Sequence, residues 1–202
     1  MTRQSPGIRF RETMAGALMR GEEDYRQGEL RGRQAGEHLA MHATVTIEDM
    51  PAFIADPAHA GTLSGSIDYA PFGSAIECHS GSFNLFAPAD NPRMKLMVYE
   101  LGFVHGDREY YLAGHKDVRN DPGFDLWSDT TTLFTRLHEG GGKTGAVIAA
   151  GILALGVDDL ARLVASMEVL HAETLAERAR TLTQFGRFFM GELWDSYVGL
   201  GS

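Results

Sequence analysis

Cysteine is nearly absent from the chain: among 202 residues there is one, Cys78. A single thiol excludes an intramolecular disulfide framework and a zinc site built from several cysteines. Disulfides belong mainly to proteins of oxidising compartments. The sequence therefore predicts a reducing, cytoplasmic environment.

Long hydrophobic runs are also missing. The longest, Ala146 to Val157, has 12 residues, against the roughly 20 that a membrane-spanning helix needs. We therefore expect a buried strand there and no transmembrane segment. The first 16 residues carry arginines without a continuous apolar core, so no secretory signal is predicted.

Positive charge is scarce: the chain has 18 Lys and Arg residues and 27 Asp and Glu residues, which gives a formal net charge of −9. Nucleic acids and anionic membranes are bound by concentrated basic surfaces, so neither is an expected partner. The apolar fraction of 44% is ordinary, and the length suits one globular unit with a sizeable core. The sequence does not indicate an oligomeric state.

What the chain does contain is a clear hairpin between residues 93 and 118. Two apolar runs flank Gly106-Asp107, and a glycine in the first position of a two-residue loop is typical of a tight hairpin turn. Such a turn fixes the register. The turn places five pairs of residues opposite each other across the hairpin: Val104 with Glu109, Phe103 with Tyr110, Leu101 with Leu112, Glu100 with Ala113, and Val98 with His115.

Side chains alternate between the faces of a strand, so this register separates an apolar face from a mixed one. The apolar face holds Leu101, Phe103, Tyr110 and Leu112. The mixed face holds Val98, Glu100, Tyr111, His115 and Asp117. It can either line a ligand site or meet water, and it is the best place in the sequence to look for function.

The rest of the chain predicts a mainly β (α+β) fold, an antiparallel sandwich or barrel with a short N-terminal helix and C-terminal helices packed on it. Residues 1–38 form an N-terminal arm, with an amphipathic helix or turn over 8–20, from the spacing of Phe10, Met14 and Leu18, and an extended connection over 22–38. Residues 39–156 form the antiparallel β domain. Residues 157–202 form the helices, the second opened by a capping box at Thr174 and Glu177.

Motifs for other chemistry are incomplete. Gly142-Lys143-Thr144 resembles the end of a phosphate-binding loop, but its first glycine is replaced by Leu137 and a strand follows, so a glycine-rich hairpin loop explains it better. The eight histidines show no metal-ligand spacing, and no metal is predicted. Glu100 and His115 are diagonal neighbours that could transfer protons, yet a structural polar pair is favoured and no catalytic residue is assigned.

Several stretches resemble a β-rich accessory region of bacterial cholesterol-oxidase-like proteins, in the glucose-methanol-choline oxidoreductase group. The stretches are residues 10–16 (FRETMAG), 81–86 (GSFNLF), 111–116 (YLAGHK), 121–133 (DPGFDLWSDTTTL) and 185–189 (FGRFF). The resemblance implies a link to steroid or lipid metabolism beside a separate flavin domain. The flavin-binding fingerprint is missing here, so no cofactor and no oxidase activity are carried over.

The leading hypothesis is a non-catalytic binding or accessory domain for an apolar, steroid-like or lipid ligand. Aromatic residues cluster in the β-rich half, and a closed sheet can enclose one small ligand. The candidate ligand-binding residues are Glu100, Tyr111, His115, Asp117 and Trp127. The alternatives are an enzyme using the Glu100 and His115 pair, and an interaction module that docks on a flavin oxidoreductase.

Overall fold

The computed structural model describes residues 4–91, 94–119 and 130–197, without the side chains of 119 and 193–197. The strands are β1 Gly7–Arg20, β2 His38–Ile47, β3 Ala60–Tyr69, β4 Gly73–Pro88, β5 Met94–His105, β6 Arg108–Arg119, β7 Thr132–Glu139, β8 Val147–Ala154 and β9 Glu168–Leu170. The helices are α1 Tyr25–Ala35, α2 Met50–Ala55, α3 Val157–Ala165 and α4 Leu175–Tyr197.

Strands β1 to β8 form a closed antiparallel barrel, which confirms the mainly β prediction. Each strand pairs with the next along the chain, and β1 closes the barrel by pairing with both β8 and β2. The short β9 pairs with the start of β1, at residues 7–9. Closure leaves the eight barrel strands without a long open edge.

The prediction of a helix over residues 8–20 is wrong, because this segment is strand β1. The spacing of Phe10, Met14 and Leu18 fits a helix, but the same residues also lie on one face of a strand, where side chains repeat every second position. Glu12 and Gly16 occupy two positions of that inward face and hide the alternation. The N-terminal segment therefore supplies the strand that closes the barrel.

The extended connection predicted over residues 22–38 is also wrong, because α1 forms there. The Asp24 side chain caps the helix by accepting hydrogen bonds from the amides of Arg26 and Gln27. Gly28 and Gly32 are buried and lie directly against the backbone of β8 and β1. Glycine lowers intrinsic helix propensity, so packing on the barrel stabilises this helix.

The predicted hairpin and the capping box are confirmed. Strands β5 and β6 pair in the register that the Gly106-Asp107 turn predicts, and Gly106 has a positive φ of 59°. Thr174 accepts a hydrogen bond from the amide of Glu177, whose carboxylate accepts one from the amide of Glu173. Local sequence thus sets the geometry at both sites.

The barrel interior is filled by apolar side chains from all eight strands. Fully buried examples are Met14, Leu39, Ile67, Phe83, Leu101, Leu112, Leu133 and Leu153. Helix α4 packs against one end, where Phe185 contacts Phe10 and Phe188 contacts Phe53. Among the described residues, no helix combines the length and hydrophobicity that a bilayer crossing requires.

One polar cluster interrupts this apolar interior. The ammonium of Lys116 donates to the Tyr99 hydroxyl at 3.3 Å and lies 3.9 Å from Oε2 of Glu12, and both charged side chains are 2% exposed. The other carboxylate oxygen of Glu12, Oε1, is buried without a hydrogen-bond partner. Burial lowers the pKa of Lys116, while the charge of Glu12 acts to raise it.

Candidate functional site

The mixed face of the hairpin lies on the outside of the barrel. The inward side chains of β5, such as Leu101 and Phe103, are fully buried, so the alternate positions point outward. Over these outward positions is a cleft of about 390 Å³. It is bounded by β5, β6 and β7, by the first residue of α1 and by the β7–β8 loop.

The floor of the cleft is apolar at one end and polar at the other. Met94, Leu96 and Val98 are successive outward residues of β5 and form the apolar part. Glu100 follows them on the same face and begins the polar part. An elongated molecule lying along β5 would therefore contact apolar side chains first and charged groups next.

Glu100 is held by three hydrogen-bond donors. Its Oε2 accepts from the Tyr111 hydroxyl at 2.7 Å and from Ser82 at 3.1 Å, and its Oε1 lies 2.5 Å from the Lys143 ammonium. Burial acts to raise the pKa of Glu100, but these donors outweigh it and hold the pKa below its usual value. Burial and the Glu100 carboxylate together raise the pKa of Tyr111 to about 12. Glu100 is therefore a charged carboxylate with three bound donors in the neutral pH range.

His115 stands in an aromatic and partly desolvated part of the cleft. Its ring lies 5.6 Å from the rings of both Tyr25 and Phe134, and its Nε2 is 3.6 Å from Oδ1 of Asp117. Burial lowers the pKa of His115, and the positive charges of Arg136 and Lys143 lower it further. The Asp117 carboxylate acts to raise the pKa. A neutral imidazole results at neutral pH.

Arg136 forms the side of the cleft opposite the apolar floor. Its Nε donates to the carbonyl of Glu23 at 3.0 Å, and its guanidinium lies over the Tyr25 ring, 4.5 Å from the centroid. Next to it on β7, His138 donates from Nδ1 to the carbonyl of Gly145 at 3.0 Å. A carbonyl can only accept, so Nδ1 carries a proton.

Three of the five predicted site residues line this cleft: Glu100, His115 and Asp117. Tyr111 lies beside it and acts through its hydrogen bond to Glu100. Trp127 falls outside the described residues. Glu100 and His115 share no hydrogen bond within the described part of the chain, so the geometry does not join them into a proton-transfer pair.

Sequence reasoning missed Tyr25, Arg136, His138 and Lys143. Arg136 and His138 are opposite Ala113 and Tyr111 in the pairing of β6 with β7. A correct register for that pair would have found them, but the segment between the strands, residues 120–131, is too long for a two-residue turn to set it. Tyr25 comes from a helix that the sequence pattern did not predict, and Lys143 from a loop.

A second cleft of about 310 Å³ lies between the N-terminal segment and α4, with Glu177, Arg180 and Gln184 among its lining residues. Its lining includes no row of aliphatic side chains like that of β5, and it contains none of the predicted site residues. The described residues contain no group of three or more His, Cys, Asp or Glu side chains placed to hold a metal ion.

Comparisons of the chain with protein families, with curated proteins and with solved structures find no match. The resemblance to a cholesterol-oxidase-associated region therefore stays a prediction.

Replacing Glu100 with glutamine should reduce stability at pH 7 by about 1–3 kcal/mol, since the charged acceptor of three hydrogen bonds is lost. The folded pKa of Glu100 is depressed, so its contribution exists above the unfolded pKa and is lost as pH falls through the folded value. Urea unfolding at pH 7 and pH 3 should show the difference from wild type shrinking in acid.

The matched control is Glu109→Gln, on the exposed end of β6. This variant should stay close to wild type at both pH values. A Glu100→Gln deficit of the same size at pH 3 and pH 7 would show that the loss is not electrostatic.

Proposed function

We propose that the chain is a non-catalytic binding domain for a small apolar molecule, steroid-like or acyl, which lies in the outer cleft along β5. The observation that carries the proposal is the row formed by Met94, Leu96 and Val98, an apolar floor that ends at a fixed set of polar groups. Small-molecule sites are typically clefts of this composition, with a few polar groups that orient the ligand.

The size of the cleft supports the proposal. Ligand sites usually enclose roughly 300–1,000 Å³, and the cleft of about 390 Å³ lies near the lower end of that range. The inward side chains of β5 and β6 already fill the barrel interior. The outer cleft is therefore a better site than the barrel centre for a ligand of this size.

The polar groups favour binding over proton transfer. A general base needs an unshared lone pair near its substrate and a pKa near the working pH. Glu100 accepts from Tyr111, Ser82 and Lys143, which hold its pKa below its usual value. Its carboxylate is better suited to fixing Tyr111 and Lys143 in place than to removing a proton.

Two neutral probes test the proposal: the steroid progesterone and the straight-chain alcohol decanol, each titrated by isothermal calorimetry. Wild-type protein should bind at least one of them saturably, with one molecule per chain. Val98→Glu should weaken that binding tenfold or more, because it places a charge against the apolar part of the ligand.

Val104→Glu is the matched control, since Val104 is also an outward residue of β5 but is 50% exposed and lies outside the cleft. It should bind both probes as wild type does. Absence of saturable binding of either probe, or equal binding by wild type and Val98→Glu, would contradict the proposal.

A further inference from the structure

Arg136 differs from the other cation of the cleft in forming no salt bridge with a carboxylate in the described part of the chain. Lys143 is paired with Glu100. The Arg136 guanidinium is instead positioned by an uncharged carbonyl, that of Glu23, and by the ring of Tyr25, and no salt bridge to it occurs among the described residues. Of the two cations lining the cleft, it is thus the one without a salt bridge to a described side chain.

The contacts of Arg136 also leave its donors available. Nε is used by the Glu23 carbonyl, while the two terminal amino groups donate to no described residue. A guanidinium presents these groups as a planar fork that fits the two oxygens of a carboxylate. Stacking on Tyr25 restricts the side chain, so little freedom remains to be lost when an anion binds.

The neighbouring charges limit what kind of anion fits. Asp117 and Glu100 both line the cleft, and Glu100 is compensated by Lys143. Asp117 has His115 at 3.6 Å and takes part in further interactions. With two carboxylates already lining the cleft, a head group with a single negative charge meets less repulsion there than a doubly charged phosphate.

From this arrangement we infer that the ligand of the cleft is an acidic amphiphile, whose carboxylate pairs with Arg136 and whose hydrocarbon part lies on Met94, Leu96 and Val98. The inference rests on the proposed function and narrows it from apolar molecules in general to monocarboxylic ones. The partly buried setting of Arg136, beside Tyr25 and His115, strengthens the pairing relative to an exposed ion pair.

The test compares two probes that differ in the head group alone, decanoate and decanol, at pH 7.5 and below their micelle-forming concentrations. Wild-type protein should bind decanoate more tightly than decanol. Arg136→Gln should weaken decanoate binding roughly tenfold to a hundredfold, the range expected for a lost charge-assisted hydrogen bond. Decanol binding should change little, which also reports that the variant is folded.

Two further variants sharpen the result. Arg136→Lys keeps the positive charge but loses the planar pair of guanidinium donors. Its decanoate affinity should therefore fall between those of wild type and Arg136→Gln. Arg108→Gln removes an arginine from the β5–β6 hairpin end, where it pairs with Glu139 outside the cleft, and should leave both affinities unchanged.

The outcomes distinguish failure of the inference about the acidic head group from failure of the proposed binding of apolar molecules in the cleft. Equal wild-type affinities for the two probes, with no effect of Arg136→Gln on either, would overturn the acidic head group and leave apolar binding intact. Failure of both probes to bind wild type would overturn both. Tighter decanoate binding that depends on Arg136 and not on Arg108 supports both.

Discussion

Replacing Lys116 with methionine should lower the free energy of unfolding by about 3–5 kcal/mol, because it leaves a buried carboxylate without its counter-charge. Lys116 and Glu12 are both 2% exposed inside the barrel, and Oε1 of Glu12 already lacks a partner. A charge in this position cannot recover its hydration without opening the barrel. Urea unfolding at pH 7 measures the loss.

The double variant Glu12→Met with Lys116→Met should recover most of that loss. Replacing both members of a buried ion pair with apolar side chains of similar volume is commonly neutral or stabilising by about 1–4 kcal/mol. Lys95→Met, on the neighbouring strand, removes a partly exposed lysine paired with Glu192 and should cost less than about 1 kcal/mol. A double variant as unstable as Lys116→Met would show that the pair itself holds the barrel together.

Replacing Gly28 with alanine should destabilise the protein by about 1–3 kcal/mol, although alanine is the better helix former. A Cβ at this position would lie 1.9 Å from the carbonyl oxygen of Ala150, a backbone atom that cannot turn away. Helix α1 must then move off the barrel. Because Tyr25 begins α1 and lines the cleft, probe binding should weaken as well.

Gly186 in α4 provides the matched control, since a Cβ there would meet nothing within 4 Å. Gly186→Ala should raise stability by about 0.5–1 kcal/mol through helix propensity alone. Chemical unfolding of both variants checks the contrast. An increase in stability for Gly28→Ala would show that α1 does not pack on β8 as closely as described.

The sequence predicted the structure correctly at places where residues close together in the chain determine the geometry. The Gly106-Asp107 turn sets the pairing of β5 with β6, and with it the shared outward face of Glu100 and His115. The capping box at Thr174 marks the start of α4. In both places the deciding contacts are between residues a few positions apart.

Where geometry depends on distant residues, the sequence pattern misled. Glu12 interrupts the apolar alternation of β1 because its partner, Lys116, lies across the barrel on β6. The glycines of α1 suggested a loop because their close packing on β8 and β1 cannot be seen from the helix sequence. Each exception to the local pattern is explained by a tertiary contact.

The same division applies to the candidate site. The hairpin supplied Glu100, His115 and Asp117, which were predictable as one face. The opposite side of the cleft, with Arg136 and Tyr25, is brought there by the pairing of β6 with β7 and by the packing of α1. Strand pairing and helix packing therefore turn a mixed strand face into a cleft.

The most direct test of a ligand site on the outside of the barrel is an NMR measurement of contacts between decanol and the methyl groups of the protein. We expect intermolecular NOEs to the outward side chains of Met94, Leu96 and Val98, and none to the inward Leu101 and Leu112. NOEs to the inward methyl groups would instead place the ligand in the barrel interior and contradict the account.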